Sequence, residues 1–245
     1  MSTMRDASFL LSRIRIVLIE TSHPGNIGAV ARAMKNMGLN DLVLVSPQRF
    51  PDAEAVFRAT GADDILQKAT VVSDFASALS GCDWVIGASA RQRKLAREID
   101  DPKMCAQKIR DMIPGRVAIV FGRESCGLTN EELSLCHDQV CIPANPDFSS
   151  LNLAAAVQVI AYELRMAAFD RDALSRKKYA DEPLANAAEV AGFYEHLRET
   201  LLQLHFLDAK QPKRLMERLQ LLFNRAHLTV NELNILRGIL KAIQK

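Results

Sequence analysis

Much of what would point to other chemistries is missing from this chain. No stretch approaches the roughly 20 consecutive apolar residues of a membrane-spanning helix. The run from Met1 to Arg15 is broken by Arg5, Asp6 and Arg13 before a secretory core could form. A soluble, cytosolic protein with no membrane partner is the expectation. The five cysteines, Cys82, Cys105, Cys126, Cys136 and Cys141, are odd in number and contain no CxxC pair, so neither a disulfide framework nor a zinc site is indicated. His23, His137, His196, His205 and His227 never fall into an HExxH spacing; each is read as structural or surface, and no metal is expected. GxGxxG is absent, as is GxxxxGK followed by Ser or Thr, so the dinucleotide and P-loop modes of phosphate binding lack support.

What is present is ordinary globular composition, 49% hydrophobic and 24% charged over 245 residues, enough for one large domain and a smaller appendage. Net charge is only +2, but residues 186–245 carry 9 basic against 6 acidic side chains, a bias compatible with phosphate contact and equally with solvated helix faces.

Over the first two thirds, short β-branched runs alternate with amphipathic stretches, the pattern of a mostly parallel sheet flanked by helices. Strands are predicted at 14–20, 42–45, 71–72, 84–88, 117–121 and 140–142, with helices at 27–37, 53–59, 75–79, 103–112, 130–136 and 151–169. Gly38 should stop the first helix, Asp74 should cap another, and Thr129 with Glu132 reads as a capping box. The 151–169 helix is apolar nearly all round and should be buried on several sides, in the core or at a subunit interface. Residues 170–185, a charged segment ending near Pro183, read as a linker. Three helices follow, about 184–205, 213–226 and 230–243, the last opened by Thr229 and Glu232. The resulting division is 1–169, 170–185 and 186–245.

Three polar loops, the first two bearing glycines, follow strand ends, where ligands collect in α/β sheets: Thr21 to Gly28, Gly122 to Leu128, and Pro143 to Asn152. Gly122 and Gly127 allow close backbone approach, while Glu124 has no evident capping role. Serine as a helix cap is the plain reading of Ser149 and Ser150.

Taken together, the stretches NIGAVARAMKNMG from Asn26, FGRESCGLTNEE from Phe121 and IPANPDFSSLNLAAAVQVIAYE from Ile142 resemble the three ordered motifs of the SPOUT ribose 2′-O-methyltransferases. They are most similar to the bacterial branch acting on cytidine or uridine of tRNA. The resemblance is strong over about 14–169 and extends to the tail by pattern. It implies an α/β SPOUT fold with a C-terminal trefoil knot, a small helical C-terminal domain, homodimerisation and S-adenosyl-L-methionine (AdoMet) as methyl donor. Cofactor contacts would fall on Ser89, Ala90, Gly122, Ile142, Ser149, Ser150 and Leu151. Arg32 would stand at the catalytic arginine position, with Asn26, Glu124, Ser150 and Asn152 completing the polar constellation. The implied reaction is in-line attack of a ribose 2′-hydroxyl, at position 32 of the tRNA anticodon loop, on the sulfonium methyl. Ribosomal RNA, another tRNA position and a non-catalytic RNA-binding role stay open as alternatives. Ala88 stands where this branch usually has Thr, and Leu95-Ala96-Arg97 where it has a proline-tryptophan run. Arg91, Arg93, Lys94 and Arg97, and in the tail Lys210, Lys213, Arg214, Arg218 and Arg225, are candidate phosphate contacts.

Overall fold

A computed structural model describes residues 2–90, 99–113, 115–169, 183–207 and 213–244, with the backbone alone for 2–6 and 213. The cationic stretch from Arg91, most of the charged segment 170–185, Lys210 and the Lys213 side chain therefore lie outside what is described. The first part of the chain runs α1 (Ser2–Ser12), β1 (Ile14–Ile19), α2 (Pro24–Met37), β2 (Asp41–Val45), α3 (Ala53–Ala59), α4 (Asp63–Lys68), β3 (Thr70–Val72), α5 (Phe75–Ala78) and β4 (Trp84–Ala88). It continues through β5 (Ile99–Asp100), α6 (Pro102–Met112), β6 (Val117–Phe121), α7 (Asn130–Ser134), β7 (Asp138–Val140), a 3₁₀ turn (Pro146–Phe148) and α8 (Leu153–Phe169). The tail holds α9 (Ala187–Gln203), α10 (Lys213–Ala226) and α11 (Val230–Ile243). No described helix is long and apolar enough to cross a membrane.

The seven strands lie in the order β3-β2-β1-β6-β4-β7-β5, every pair parallel. Alternate residues serve opposite faces. Ile14, Ile16 and Leu18 of β1 pack with Trp84, Ile86, Ile119 and the helices α2, α6 and α8, while Val17, Ile19, Val85, Ala118 and Val120 pack with Leu79, Leu128 and Leu133. Burial on both faces explains why the central strands read as continuous apolar runs.

Local chemistry sets the helix ends. Pro24 occupies the first turn of α2, where its missing N–H costs nothing, and the His23 Nδ1 accepts from the Gly25 N–H at 3.2 Å. Helix α2 thus begins three residues before the predicted Ile27, and Gly38 ends it in the left-handed region at φ +82°. The caps expected from Asp74, Thr129 and Thr229 are formed, and Asn186 with Glu189 makes a further capping box at the start of α9. Gly28 sets the spacing of α2 against α3: a Cβ there would lie 2.0 Å from the Ala55 carbonyl oxygen.

Several elements differ from expectation for physical reasons. β7 begins at Asp138, not Val140, because two of its three residues are polar: Asp138 accepts from the Trp84 Nε1–H at 2.7 Å, and Gln139 is buried. β5 is two residues long, too short for any periodicity, and α1 and α4 were not expected at all. Helix α1 lies on α8 through buried Ala7, Leu10 and Leu11. α8 is buried along Leu153, Val157, Ile160 and Leu164, yet leaves Tyr162, Met166 and Phe169 exposed as an apolar stripe.

The tail has its own core, built on Phe193, Tyr194, Leu197, Leu233 and Leu240. It is seated on the amino-terminal end of the sheet. The Ala187 N–H donates to the Cys82 carbonyl at 2.9 Å, just before β4, and Leu184 bridges to Thr229.

Candidate active site

At the opposite, carboxyl-terminal end of β4, β6 and β7 the three polar loops converge on a cavity of about 430 Å³. Its lining includes Ser89 and Ala90 after β4, Gly122 to Leu128 after β6, Ile142 after β7, and Ser149, Ser150, Leu151 and Asn152 ahead of α8. Every residue expected to hold the cofactor therefore lines this cavity, together with Asn26, Glu124 and Asn152 of the expected polar constellation.

A single hydrogen-bonded chain ties the loops together. Asn152 Oδ1 accepts from the Ala154 N–H at 2.9 Å, so Asn152, and neither serine, caps α8. Its Nδ2 donates to Asn26 Oδ1 at 3.0 Å, and Asn26 Nδ2 donates in turn to Glu124 Oε1 at 3.0 Å. Glu124 Oε2 accepts from both the N–H and the hydroxyl of Ser22, at 3.0 and 3.1 Å. The carboxylate without an evident capping role thus satisfies backbone donors at the mouth of α2 from across the site. Partial burial on its own would raise the Glu124 pKa, but the bonds from Asn26 and from the Ser22 and His23 N–H groups outweigh it and hold the carboxyl below its ordinary range.

Arg32 stands apart. It is exposed on α2, outside the cavity lining, with no hydrogen-bond or ion-pair partner among the described residues. Helices α2 and α8 run side by side in the same direction, Asn26 meeting Asn152 at one end and the Met37 carbonyl meeting Arg165 Nη1 at 3.2 Å at the other. Arg32 therefore lies midway along this pair.

Arg123 was missed as a site residue, although it sits in the FGRES string. Its guanidinium grips Glu20 and Glu132, the latter at 3.0 Å through one nitrogen, and the bond to Glu20 chiefly raises its pKa while lowering that of Glu20. This double clamp holds the Gly122–Gly127 loop, where Arg123 and Gly127 form a small bridge. A Cβ on Gly122 would fall 2.1 Å from the Gly127 carbonyl carbon, so the wall there is bare backbone.

Three of the histidines take structural places: His23 caps α2, His137 accepts from the Val85 N–H at 2.9 Å, and His227 stacks on Trp84. Cys82, Cys105 and Cys136 are buried thiols, with burial pushing Cys82 up to about 11.

A family model described as the SpoU rRNA methylase family matches residues 13–162, and one described as the C-terminal domain of the tRNA methyltransferase TrmJ matches residues 188–245. The tRNA (cytidine/uridine/adenosine-2′-O-)-methyltransferase TrmJ of Pseudomonas aeruginosa (strain UCBPP-PA14) is 50% identical over 245 aligned residues, covering 96% of this chain and 95% of that protein. The crystal structure of TrmJ from Z. mobilis ZM4 aligns with TM-score 0.83 at 33% identity, over 94% of this chain and 99% of that one. The SpoU methyltransferase AviRb from Streptomyces viridochromogenes, solved in complex with AdoMet, shares the fold at TM-score 0.51 and 22% identity over 62% of this chain and 58% of that one. The chain belongs to the TrmJ family of SpoU methylases.

Proposed function

We propose that the protein transfers a methyl group from AdoMet to the ribose 2′-oxygen of cytidine or uridine at position 32 of the tRNA anticodon loop. The observation that carries this reading is the Asn152–Asn26–Glu124 chain, which locks three loops from distant parts of the sequence around one cavity. The residues suit AdoMet: the bare backbone at Gly122, the hydroxyls of Ser89, Ser149 and Ser150, and the apolar Ile142, Leu151 and Ile160 offer polar edges and a greasy floor to a nucleoside carrying an amino-acid arm. When bound, that group supplies a sulfonium methyl whose leaving group is already activated.

The chain's own task is then alignment and removal of a weakly acidic proton. A guanidinium makes a poor general base, which leaves Arg32 another part to play. In this reading it holds the RNA phosphate beside the target ribose, or the developing alkoxide, and the proton leaves through solvent, Ser150 or the phosphate. The exposed Tyr162–Met166–Phe169 stripe beside α2 supports a homodimer in which a second copy covers α8, and Arg32 on the neighbouring helix then serves the cavity of that second copy. Residues 1–169 form the knotted methyltransferase unit, 170–185 the connection and 186–245 the helical extension, in a cytosolic enzyme that needs no metal.

The test is methyl transfer from labelled AdoMet to unmodified tRNA transcripts, one normal and one with 2′-deoxyribose at nucleotide 32. Incorporation into the normal transcript alone is expected. Equal incorporation into both moves the target elsewhere, and none into either favours ribosomal RNA or a non-catalytic role.

A further inference from the structure

The tail is held to the sheet by contacts that the transfer chemistry does not use. Trp84, 2% exposed at the start of β4, lies between two imidazoles: His137 at 4.4 Å between ring centroids and His227, from the turn after α10, at 4.2 Å. The two rings are tilted from the indole plane by 20° and 29°, both stacked arrangements. One turn back along α10, buried Asn224 donates from Nδ2 to the carbonyls of Cys136 at 3.0 Å and Ser134 at 3.3 Å, and accepts from the Tyr194 hydroxyl. These contacts grip the amino ends of β4 and β7, two strands whose far ends carry Ser89, Ala90 and Ile142 of the cavity.

The other face of α10 is open. Arg214, Arg218 and Arg225 recur at helical spacing, all exposed and without a partner among the described residues. The clamp therefore decides where these cations stand. A unit tied to the sheet by a length of chain alone would sample many positions, and its phosphate contacts would add little to binding at a cavity elsewhere. Held by Trp84 and Asn224, it stands at the far end of β4, whose five residues span about 17 Å.

We propose that His227 is a positioning residue for tRNA methylation: stacked on Trp84, it locks the helical tail at a set distance from the cavity, so that a full-length tRNA engages both at once. This rests on the reading of the protein as a tRNA methyltransferase. A short stem-loop that reaches only the cavity is indifferent to the lock.

His227 offers a clean test because its backbone is left-handed, at φ +50°. Glycine suits that conformation, so His227→Gly removes the ring without straining the turn, and His227→Phe restores a stacking surface. Trp84 is the chain's single tryptophan and reports on its own covering by fluorescence. In His227→Gly the emission shifts to longer wavelength and KM for full-length tRNA rises roughly threefold to tenfold, the worth of one aromatic pair. AdoMet affinity, kcat at saturating tRNA and KM for an isolated anticodon stem-loop stay as in the wild type, and His227→Phe recovers the full-length KM. Asn224→Ala added to His227→Gly deepens the same pattern. An unchanged full-length KM despite shifted emission removes the positioning role, as does an equal loss on the stem-loop. Unchanged emission removes the clamp itself. Wild-type protein inactive on both RNAs sinks the tRNA reading and the positioning role with it, while the emission reports the clamp separately.

Discussion

At the carboxyl ends of β4, β6 and β7 the chain leaves backbone and small polar side chains around a cavity, whereas at the amino ends of β4 and β7 it buries an indole, two imidazoles and an asparagine side chain under the tail. Both ends depend on asparagine, and the contrast between the two uses is instructive. Asn26 and Asn152 are only partly covered and link loops to one another, so their bonds hold a shape open for a visitor. Asn224 is 3% exposed and links one packed unit to another, so its bonds close a joint. A buried polar group without its partner costs far more than an exposed one, so breaking the joint costs stability, whereas breaking the loop links costs little stability and alters the shape of the cavity.

Substitutions should respect that division. The largest effect is expected from Arg32→Lys, with turnover at saturating tRNA falling about a hundredfold or more while AdoMet affinity and melting temperature hold, because an ammonium cannot reproduce a two-pronged grip. Near-full turnover in that variant would show that Arg32 acts as a point charge or not at all. Gly122→Ala comes next: its Cβ meets main-chain atoms that cannot swing aside, and AdoMet affinity measured by calorimetry should drop about tenfold to a hundredfold. At the other end, Asn224→Ala should lower unfolding free energy by about 1–3 kcal/mol in denaturant titrations and leave AdoMet affinity alone. A change in cofactor affinity there would break the separation.

The smallest effect concerns pH. A carboxyl held below its ordinary range stabilises the assembled loops above that range, and the contribution is lost as pH falls through the lowered pKa. AdoMet affinity should therefore weaken on the acid side, by no more than about tenfold, and Glu124→Gln should flatten that dependence. An acid limb that persists in Glu124→Gln belongs to another group.

The carboxyl end was largely legible in the sequence because its residues are contiguous in short strings: glycines, serines and asparagines after apolar runs announce strand-end loops wherever they occur. The tail helices were legible from their periodicity, and the last of them also from its Thr229–Glu232 capping pair. What escaped depends on partners about a hundred residues apart or more. Glu124 looks idle until Ser22 and Asn26 are folded against it, and nothing near His227 points to Trp84. β7 hid for a related reason, since Asp138 and Gln139 look like loop residues until Trp84 gives the first a hydrogen bond and the sheet buries the second. Arg32 was placed by resemblance alone; in the folded chain it is exposed and has no partner among the described residues.

The seat of the tail has one more consequence. Among the described contacts, Cys82, Trp84, Ser134 and Cys136 serve the tail and none of them lines the cavity. Mutations that reshape the tail can thus accumulate without touching the lining of the cavity, and the reverse holds as well. An ancestor equipped with the sheet and its cavity could exchange one appendage for another and so inherit a new clientele of RNAs with its chemistry intact.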